Sequence, residues 1–229
     1  LNALHKRIES FKQKGSVAAA NNSLAGLEKE VAAAEKILFG FPGGGGSRSN
    51  GVVRYVDSEE PNGKRLSITL GETRGIVKDR TTKIKQLFES SDVPVKIVDD
   101  IDSWLKYHVA FVHPVAGALL KAGDNYKLAQ DKKTIRKYIR AVNECSKVLN
   151  ALGYKKSYNP KLTFFKWFPE FMLIKILQRV FNSKFAEVAM MMHVNAAKDE
   201  MLELGNDFKT LINKTSIDTP NFNELLSSI

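Results

Sequence analysis

The stretch that decides the fold runs from residue 99 to 120 and reads DDIDSWLKYHVAFVHPVAGALL. Asp99 or Asp100 can cap a helix that continues to about Leu120. Apolar side chains and one histidine recur along it at the spacing of a single helix face; they are Ile101, Trp104, Leu105, His108, Val112, Val115 and Leu119. We expect this helix to divide a first part of mixed strands and helices from a second part that is helical.

The chain before residue 95 alternates between short strands and helices. Residues 16–20, 25–34 and 36–41 predict a strand, a helix and a buried strand, which together make a βαβ unit and favour parallel α/β organisation. Residues 52–56 and 66–70 predict two strands of one hairpin, because Pro61, Asn62 and Gly63 between them are turn residues. Further helices are predicted at 1–11 and 75–90, and a last strand at 93–98.

The chain after residue 95 reads as helices throughout. Helical periodicity covers residues 131–152, the aromatic-rich segment 161–180 and residues 184–204, and a short helix begins at Pro220. Gly153 and Gly205 are predicted helix stops, and Ser183 and Thr219 are predicted caps. The predicted fold class is α/β followed by all-α, with domains at 1–95 and 96–229.

Composition indicates a globular chain with a basic balance. The 229 residues are 43% hydrophobic and 26% charged, with a formal net charge of +10. This excludes disordered and fibrous classes, and no apolar run is long enough for a membrane span. Residues 121–184 hold fifteen Lys or Arg against four Asp or Glu, whereas residues 185–229 hold three against seven. A single cysteine favours a cytoplasmic setting.

Several familiar motifs are weak in this sequence. The run from Gly43 to Gly46 matches neither G-x-G-x-x-G nor the P-loop pattern, and it predicts a loop that allows close backbone approach. The four histidines lack metal-ligand spacing, so no metal is expected. Basic residues interleave with aromatic ones between 121 and 184, which is compatible with nucleic-acid binding, but most fall on predicted solvent faces.

Three residues are candidates for chemistry. Lys106 lies within an apolar pattern, where a lysine can act as a proton donor; an i,i+4 ion pair with Asp102 is the alternative. Glu200 follows His193 by seven residues on a predicted common helix face, and an exposed carboxylate is the alternative. Asn22 follows a predicted strand, where α/β sheets bind ligands, although it could equally be a turn residue.

Six segments in this order resemble the ketopantoate reductase (2-dehydropantoate 2-reductase) family, in its less characterised branch. The resemblance covers nearly all of the chain, and the order of the segments carries it more than any one of them. They are NNSLAGLE (21–28), ILFGFPGGGG (37–46), VVRYV (52–56), ITLGE (68–72), DSWLKYHVA (102–110) and HVNAAKDEM (193–201).

The resemblance implies an architecture, a reaction and a set of site residues. Residues 1–95 would be the C-terminal part of a Rossmann-type dinucleotide-binding domain, and 96–229 a helical, 6-phosphogluconate-dehydrogenase-like domain for substrate binding and dimerisation. The implied enzyme is an NADP-dependent oxidoreductase of pantothenate biosynthesis type that reduces a 2-oxo acid to a 2-hydroxy acid. Lys106 would protonate the ketone oxygen and Glu200 would hold the substrate hydroxyl, while Asn22, with Gly43 and Gly44, would contact the cofactor, and Asn22 also the substrate.

Two departures from the family pattern modify these expectations. The family often carries asparagine four and eight residues after its lysine, where this chain has Ala110 and Pro114, so His113 is expected to supply a polar substrate contact instead. The glycine fingerprint is also missing, and at about 30 residues per βαβ unit two or three units would precede Leu1. We therefore expect the chain to carry the substrate half of the site and to be a poor catalyst alone.

The sequence leaves two other functions open. A non-catalytic ligand-binding or interaction module that keeps the fold is the second interpretation, and a basic helical nucleic-acid-binding protein is the third. The preferred interpretation implies a small 2-oxo acid as substrate and a homodimer formed through the helical domain. It implies neither nucleic acid nor membrane as a partner.

Overall fold

Strand β5 (Val95–Ile97) leads within four residues into the long helix α2 (Ile101–Ala122). The computed structural model describes residues 36–44, 46–55, 67–73, 75–154 and 160–229. The chain divides into two compact units, Leu1–Leu38 and Phe39–Ile229, and the first is described only over its last three residues. The predicted domain boundary near residue 95 falls inside the second unit, at the start of β5.

A βαβ unit precedes α2. Strands β1 (Leu38–Pro42), β4 (Ile68–Glu72) and β5 form one sheet in the order β1-β4-β5, and helix α1 (Asp79–Glu89) connects β4 to β5. β4 and β5 are parallel, with Ile68 opposite Val95. The predicted elements at 1–11, 16–20 and 25–34 lie outside the described residues.

The buried Glu72 fastens the end of β4 to α1. Its carboxylate accepts hydrogen bonds from the Arg80 guanidinium and from the Thr81 hydroxyl, and its side chain is 3% exposed. The Arg80 hydrogen bonds hold the pKa of Glu72 below its usual value. A buried carboxylate is stable when it is paired and hydrogen-bonded in this way, so the contact fixes α1 against the sheet.

The predicted hairpin of residues 52–56 and 66–70 is wrong. Strand β3 (Val52–Tyr55) pairs antiparallel with β2 (Gly46–Ser49), while β4 belongs to the three-stranded sheet. The turn is Asn50-Gly51, with φ of 49° and 78°, which suits the two-residue loops that match strand twist. β4 is buried along most of its length and lies between β1 and β5 in its sheet.

Helix α2 begins and ends as the sequence predicts. The Asp100 side chain accepts a hydrogen bond from the Ser103 backbone N–H at 2.9 Å, which caps the first turn. Gly123, with φ of 91°, ends the helix. From His113 to Leu119 every side chain is buried, so this half of α2 is surrounded by other helices instead of presenting one apolar stripe.

Nine further helical segments follow α2 in the described residues. None of the helices described combines the length and hydropathy required to cross a bilayer. Their bounds are α3 Asn125–Gln130, α4 Lys132–Ala151, α5 Pro160–Trp167, α6 Glu170–Phe181, α7 Lys184–Ala186, a π-helical turn Glu187–Met191, α8 Met192–Ala196, α9 Lys198–Ile212 and α10 Pro220–Leu226.

Two predicted helix boundaries are wrong. The predicted helix 184–204 contains a π-helical turn and breaks at Ala197, whose φ of −129° is not helical. Gly205, the predicted stop, lies inside α9. A glycine is needed there because a Cβ would overlap His113 and Leu226 of neighbouring helices. The cap at Ser183 and the stop at Gly153 agree with the sequence. Thr219 stands at the predicted N-cap position of α10, before Pro220, but its side chain makes no capping hydrogen bond.

The short helix α10 closes the core of the helical region. Its Phe222 and Leu225 are buried against α2, where Gly117 lets the α10 backbone approach closely. The Glu144 carboxylate of α4 accepts the Phe222 backbone N–H at 2.9 Å and the Asn221 N–H at 3.3 Å. Glu144 thus caps α10 from another helix and fixes it against α4.

Candidate functional site

Lys106 lies in the second turn of α2, and its side chain is 13% exposed. Its ammonium forms an ion pair with Asp102, one turn earlier on the same helix. The ring of Tyr154 covers the ammonium, with Nζ 4.7 Å from the ring centroid. The alternative predicted for Lys106, an i,i+4 ion pair, is therefore present, and an aromatic ring adds a cation–π contact.

Tyr154 reaches Lys106 because the end of α4 is tied to α2. Gly153, at φ of 83°, turns the chain after α4. The Tyr107 hydroxyl donates to Asn150 Oδ1 at 2.9 Å and to the Tyr154 carbonyl oxygen at 3.2 Å. Burial raises the pKa of Tyr107 to about 12, so the hydroxyl keeps its proton and this tie persists at neutral pH.

The arrangement around Lys106 can hold an anion or donate a proton. A mostly buried ammonium has three donor hydrogens, and Asp102 uses only part of that capacity. Such a group can donate to a ligand carbonyl or carboxylate oxygen. The Tyr154 ring lies 48 residues from Lys106 along the chain, so periodicity and spacing could not have revealed it.

An aromatic cluster occupies the other side of α2. Trp104 stacks on His108 with ring centroids 5.1 Å apart, and Phe41 of β1 contacts both rings at 5.0 and 4.4 Å. At about 100° per residue, Trp104 and His108 project on the side of the helix away from Lys106. The structure therefore ties the end of β1 to the opposite face of α2 from the candidate proton donor.

Gly43 and Gly44 are exposed at the end of β1. The Gly43 N–H donates to the Ser67 carbonyl oxygen at 2.6 Å, and a Cβ on Gly43 would lie 2.8 Å from that oxygen. Gly43 is thus required for close approach of two backbones, as the sequence predicts for a glycine loop. The loop is followed by strand β2 and not by a helix N-terminus, so these residues form no phosphate cradle.

The structure places His113 in the helical core. Its side chain is 1% exposed, its ring lies 5.0 Å from that of Phe222, and its Nε2 is close to Gly205. Within the described residues neither ring nitrogen has a hydrogen-bond partner, and burial lowers the pKa of His113 to about 4. A contact between His113 and a substrate would require α9 or α10 to move away.

Glu200 is exposed in the first turn of α9. The helix break at Ala197 separates it from His193, so the predicted common face of these two residues is wrong. Asp199 and Glu200 lie near the positive end of the α9 dipole, where carboxylates stabilise a helix. Asn22 lies outside the described residues.

The described part of the chain contains no candidate metal-binding site and no reactive thiol. Its His, Cys, Asp and Glu residues form no group of three that could hold a metal ion. Cys145 is fully buried in α4, and burial raises its pKa well above the usual value. A thiol in this state is a poor nucleophile, so Lys106 is the best-supported reactive group among the described residues.

Comparison with known proteins finds similarity only at the level of structure. A scan against protein-family models gives no match, and a search of curated proteins gives none either. A 2-dehydropantoate 2-reductase from Geobacter metallireducens matches with a TM-score of 0.63 and 14% identity, over 88% of this chain and 63% of that one. A dimeric ketopantoate reductase from Staphylococcus aureus matches with a TM-score of 0.56 and 11% identity, over 83% and 59%.

A third similar structure is a D-mandelate dehydrogenase in complex with NADH, with a TM-score of 0.61 and 13% identity, over 88% of this chain and 65% of that one. The chain thus spans 59–65% of the length of these three proteins. Their fold defines the class: part of a Rossmann-like domain followed by a helical domain. The predicted fold class is confirmed, and the resemblance to ketopantoate reductases is confirmed as a likeness of fold.

Proposed function

We propose that this chain carries the substrate half of an oxidoreductase that reduces a 2-oxo acid to a 2-hydroxy acid. The observation that carries the proposal is Lys106, a mostly buried ammonium held by Asp102 and Tyr154 at the start of the helical domain. The fold supports it, because similar structures include one named as a 2-dehydropantoate 2-reductase, one as a ketopantoate reductase and one as a D-mandelate dehydrogenase. Ketopantoate is the substrate that the sequence resemblance suggests.

Reduction of a ketone requires a hydride at carbon and a proton at oxygen. Charge develops on the oxygen as the hydride arrives, and a positioned acid that neutralises it accelerates the step by about 10²- to 10⁴-fold. The Lys106 ammonium is the proposed acid. Asp102 and the Tyr154 ring restrict where Nζ can lie, which keeps the donor oriented before substrate binds.

Two further polar residues, Glu200 and Asn22, are proposed to contact the substrate. Glu200, exposed at the start of α9, can accept a hydrogen bond from a substrate hydroxyl. Asn22 is proposed to contact substrate and cofactor. The departure at Ala110 leaves a small buried side chain one turn after Lys106, so the pocket differs from one lined by asparagine at that position.

The proposed hydride donor is NADPH, but the described residues do not fit its phosphates. No G-x-G-x-x-G motif occurs in the sequence, and the loop at Gly43 and Gly44 precedes a strand, without the helix N-terminus that binds a pyrophosphate. We therefore assign to this chain the binding and protonation of the 2-oxo acid. The binding of the dinucleotide phosphates is not assigned to the described residues.

Oxidation of NADPH in the presence of a panel of 2-oxo acids tests the reaction. We expect any turnover by the chain to fall by about 100-fold or more in Lys106→Met. Lys121→Met, which removes a lysine at the far end of the same helix, should keep the parent rate. A Lys106→Met protein that reduces the best 2-oxo acid at the parent rate would exclude Lys106 as the acid.

A ligand-binding module without hydride transfer is the second candidate. The specific observation in its favour is the loop at Gly43 and Gly44, which leads into strand β2 and offers no helix N-terminus to a pyrophosphate. That function predicts binding of a 2-oxo acid with no NADPH oxidation under any condition. Oxidation of NADPH by the chain in that assay would exclude the module, because only the reductase consumes NADPH.

A further inference from the structure

Exposed apolar side chains flank the junction of α5 and α6. Trp167 is 73% exposed and Phe171 63%, and Phe164 and Met172 are also exposed. These four residues lie within about one turn of the two-residue link, Phe168-Pro169, that joins the helices. Exposed apolar side chains that cluster in this way mark an interaction surface. We call this cluster the aromatic corner.

Basic side chains continue from the aromatic corner along α6. Lys175 and Arg179 are exposed and follow Phe171 at i+4 and i+8, on the same side of the helix. With Gln130, Gln178 and Asn182 they line a shallow groove of about 300 Å³. Lys166 lies over the Trp167 ring, 5.2 Å from its centroid.

These cations lack acidic partners in the described structure. Lys166, Lys175 and Arg179 form no ion pair with any described residue, whereas Arg136 and Arg140 both bind Glu170 at 2.8 and 3.0 Å. Glu170 is the only carboxylate between residues 160 and 184, a segment with five Lys or Arg. The surface beside the aromatic corner is therefore positively charged and available to an anionic partner.

We propose that the aromatic corner and the adjacent Lys175–Arg179 stripe bind the surface of an anionic lipid bilayer. Trp and Phe side chains enter the interfacial region of a bilayer, and nearby Lys and Arg pair with anionic headgroups. A peripheral contact of this kind needs no membrane-spanning helix, in keeping with the helices described. The basic flank disfavours a second copy of this +10 chain, because two such surfaces repel each other.

Fluorescence of Trp167 gives a direct readout of this contact. The chain has two tryptophans, so Trp104→Phe leaves Trp167 as the sole reporter. We expect its emission to shift to the blue, and the protein to cosediment, with phosphatidylcholine vesicles that contain phosphatidylglycerol. Vesicles of phosphatidylcholine alone should bind weakly, and added salt should release the protein because it screens the headgroup charges.

Matched variants separate the apolar and charged contributions. Trp167→Ser, followed by cosedimentation, should weaken binding about tenfold, because one large apolar side chain no longer leaves water. The double change Lys175→Glu and Arg179→Glu should weaken it by more than about tenfold. Lys209→Glu, on α9, makes the same kind of charge change outside the stripe and should leave binding within about twofold.

Three results would overturn the proposal. They are failure to bind anionic vesicles, equal binding to neutral and anionic vesicles, and unchanged affinity in the Lys175 and Arg179 double variant. A blue shift of Trp167 that grows with protein concentration in the absence of lipid would instead identify a second copy of the chain as the occupant, which also excludes the bilayer.

Discussion

Lys106 shows what spacing along a helix reveals about a single side chain and what it does not. The four-residue separation from Asp102 predicted an ion pair, and that pair is present. The Tyr154 ring over the same ammonium comes from the far end of another helix. Pattern within one helix cannot show a contact set by the docking of two helices, so the surroundings of Lys106 had to come from the structure.

Protonation of the buried His113 lowers the stability of the folded state. Its buried side chain has no polar partner among the described residues, and burial lowers its pKa from 6.5 to about 4. The folded state therefore holds it neutral, while the unfolded chain takes up a proton below about pH 6.5. Stability from this residue is complete above about pH 6.5 and is lost as the pH falls toward about 4.

Urea unfolding at two pH values measures this effect. Between about pH 7.5 and about pH 5, we expect His113 to remove about 2 kcal/mol from the free energy of unfolding. His113→Leu should show a correspondingly smaller loss over the same range, whereas His193→Gln, at a partly exposed site, should behave like the parent. Equal pH dependence in the parent and in His113→Leu would contradict a neutral buried His113.

Glycines illustrate the limits of sequence at the scale of a helix. Gly153 ends α4 with positive φ, as predicted. Gly205 lies in mid-helix, because α9 there meets His113 of α2 and Leu226 of α10. A glycine that stops a helix and a glycine that lets two helices approach look alike in sequence, since the difference lies in a neighbour distant along the chain.

Gly205→Ala tests the packing of α9. The added Cβ would lie 2.3 Å from His113 Nε2 and 2.4 Å from Leu226 Cδ1, so neighbouring helices must shift. We expect a loss of about 2 kcal/mol in the free energy of unfolding, although alanine normally favours a helix over glycine. Asn206→Ala, at the next and exposed position, should be neutral or slightly stabilising. A Gly205→Ala protein as stable as the parent in urea would refute this packing.

Strand pairing was the least predictable part of the fold. The individual strands near residues 38, 52, 68 and 95 were predicted, as was the long helix from Ile101. Which strands pair was not, because the sequence offers two Asn-Gly turns, and among the described residues it is Asn50-Gly51 that closes a hairpin. The pairing of strands depends on which of them are buried in the folded protein. β4 is buried in the three-stranded sheet, and the periodicity of its sequence does not show which strands are its neighbours.

At the scale of the whole molecule, the order of six short segments was more informative than any one motif. It led to a two-domain reductase fold, and three solved structures share that fold at 11–14% identity. Identity this low fixes architecture and not substrate. The proposed site roles stay predictions for Lys106, Glu200, Asn22 and His113. A shared fold fixes the path of the backbone, whereas the chemistry depends on side chains that differ between proteins.

Charge across the molecule is distributed in a way that matters for both proposals. The excess of Lys and Arg lies between residues 121 and 184, and five of these fifteen side chains form ion pairs with Glu170, Glu224 or Glu187. Lys106 differs from them because it is mostly buried. A test of the substrate site can therefore change Lys106 without altering the basic surface of α5 and α6.

The most direct test is calorimetric titration of this chain with 2-oxo acids, comparing the parent with Lys106→Met and Lys121→Met. We expect the parent and Lys121→Met to bind a 2-oxo acid with equal affinity, and Lys106→Met to bind it at least about tenfold more weakly, because a charge-assisted hydrogen bond is lost. Asp102→Asn should strengthen binding, since a competing carboxylate is removed. Equal affinity in the parent and in Lys106→Met would contradict the assignment of this chain as the substrate half of a 2-oxo-acid reductase.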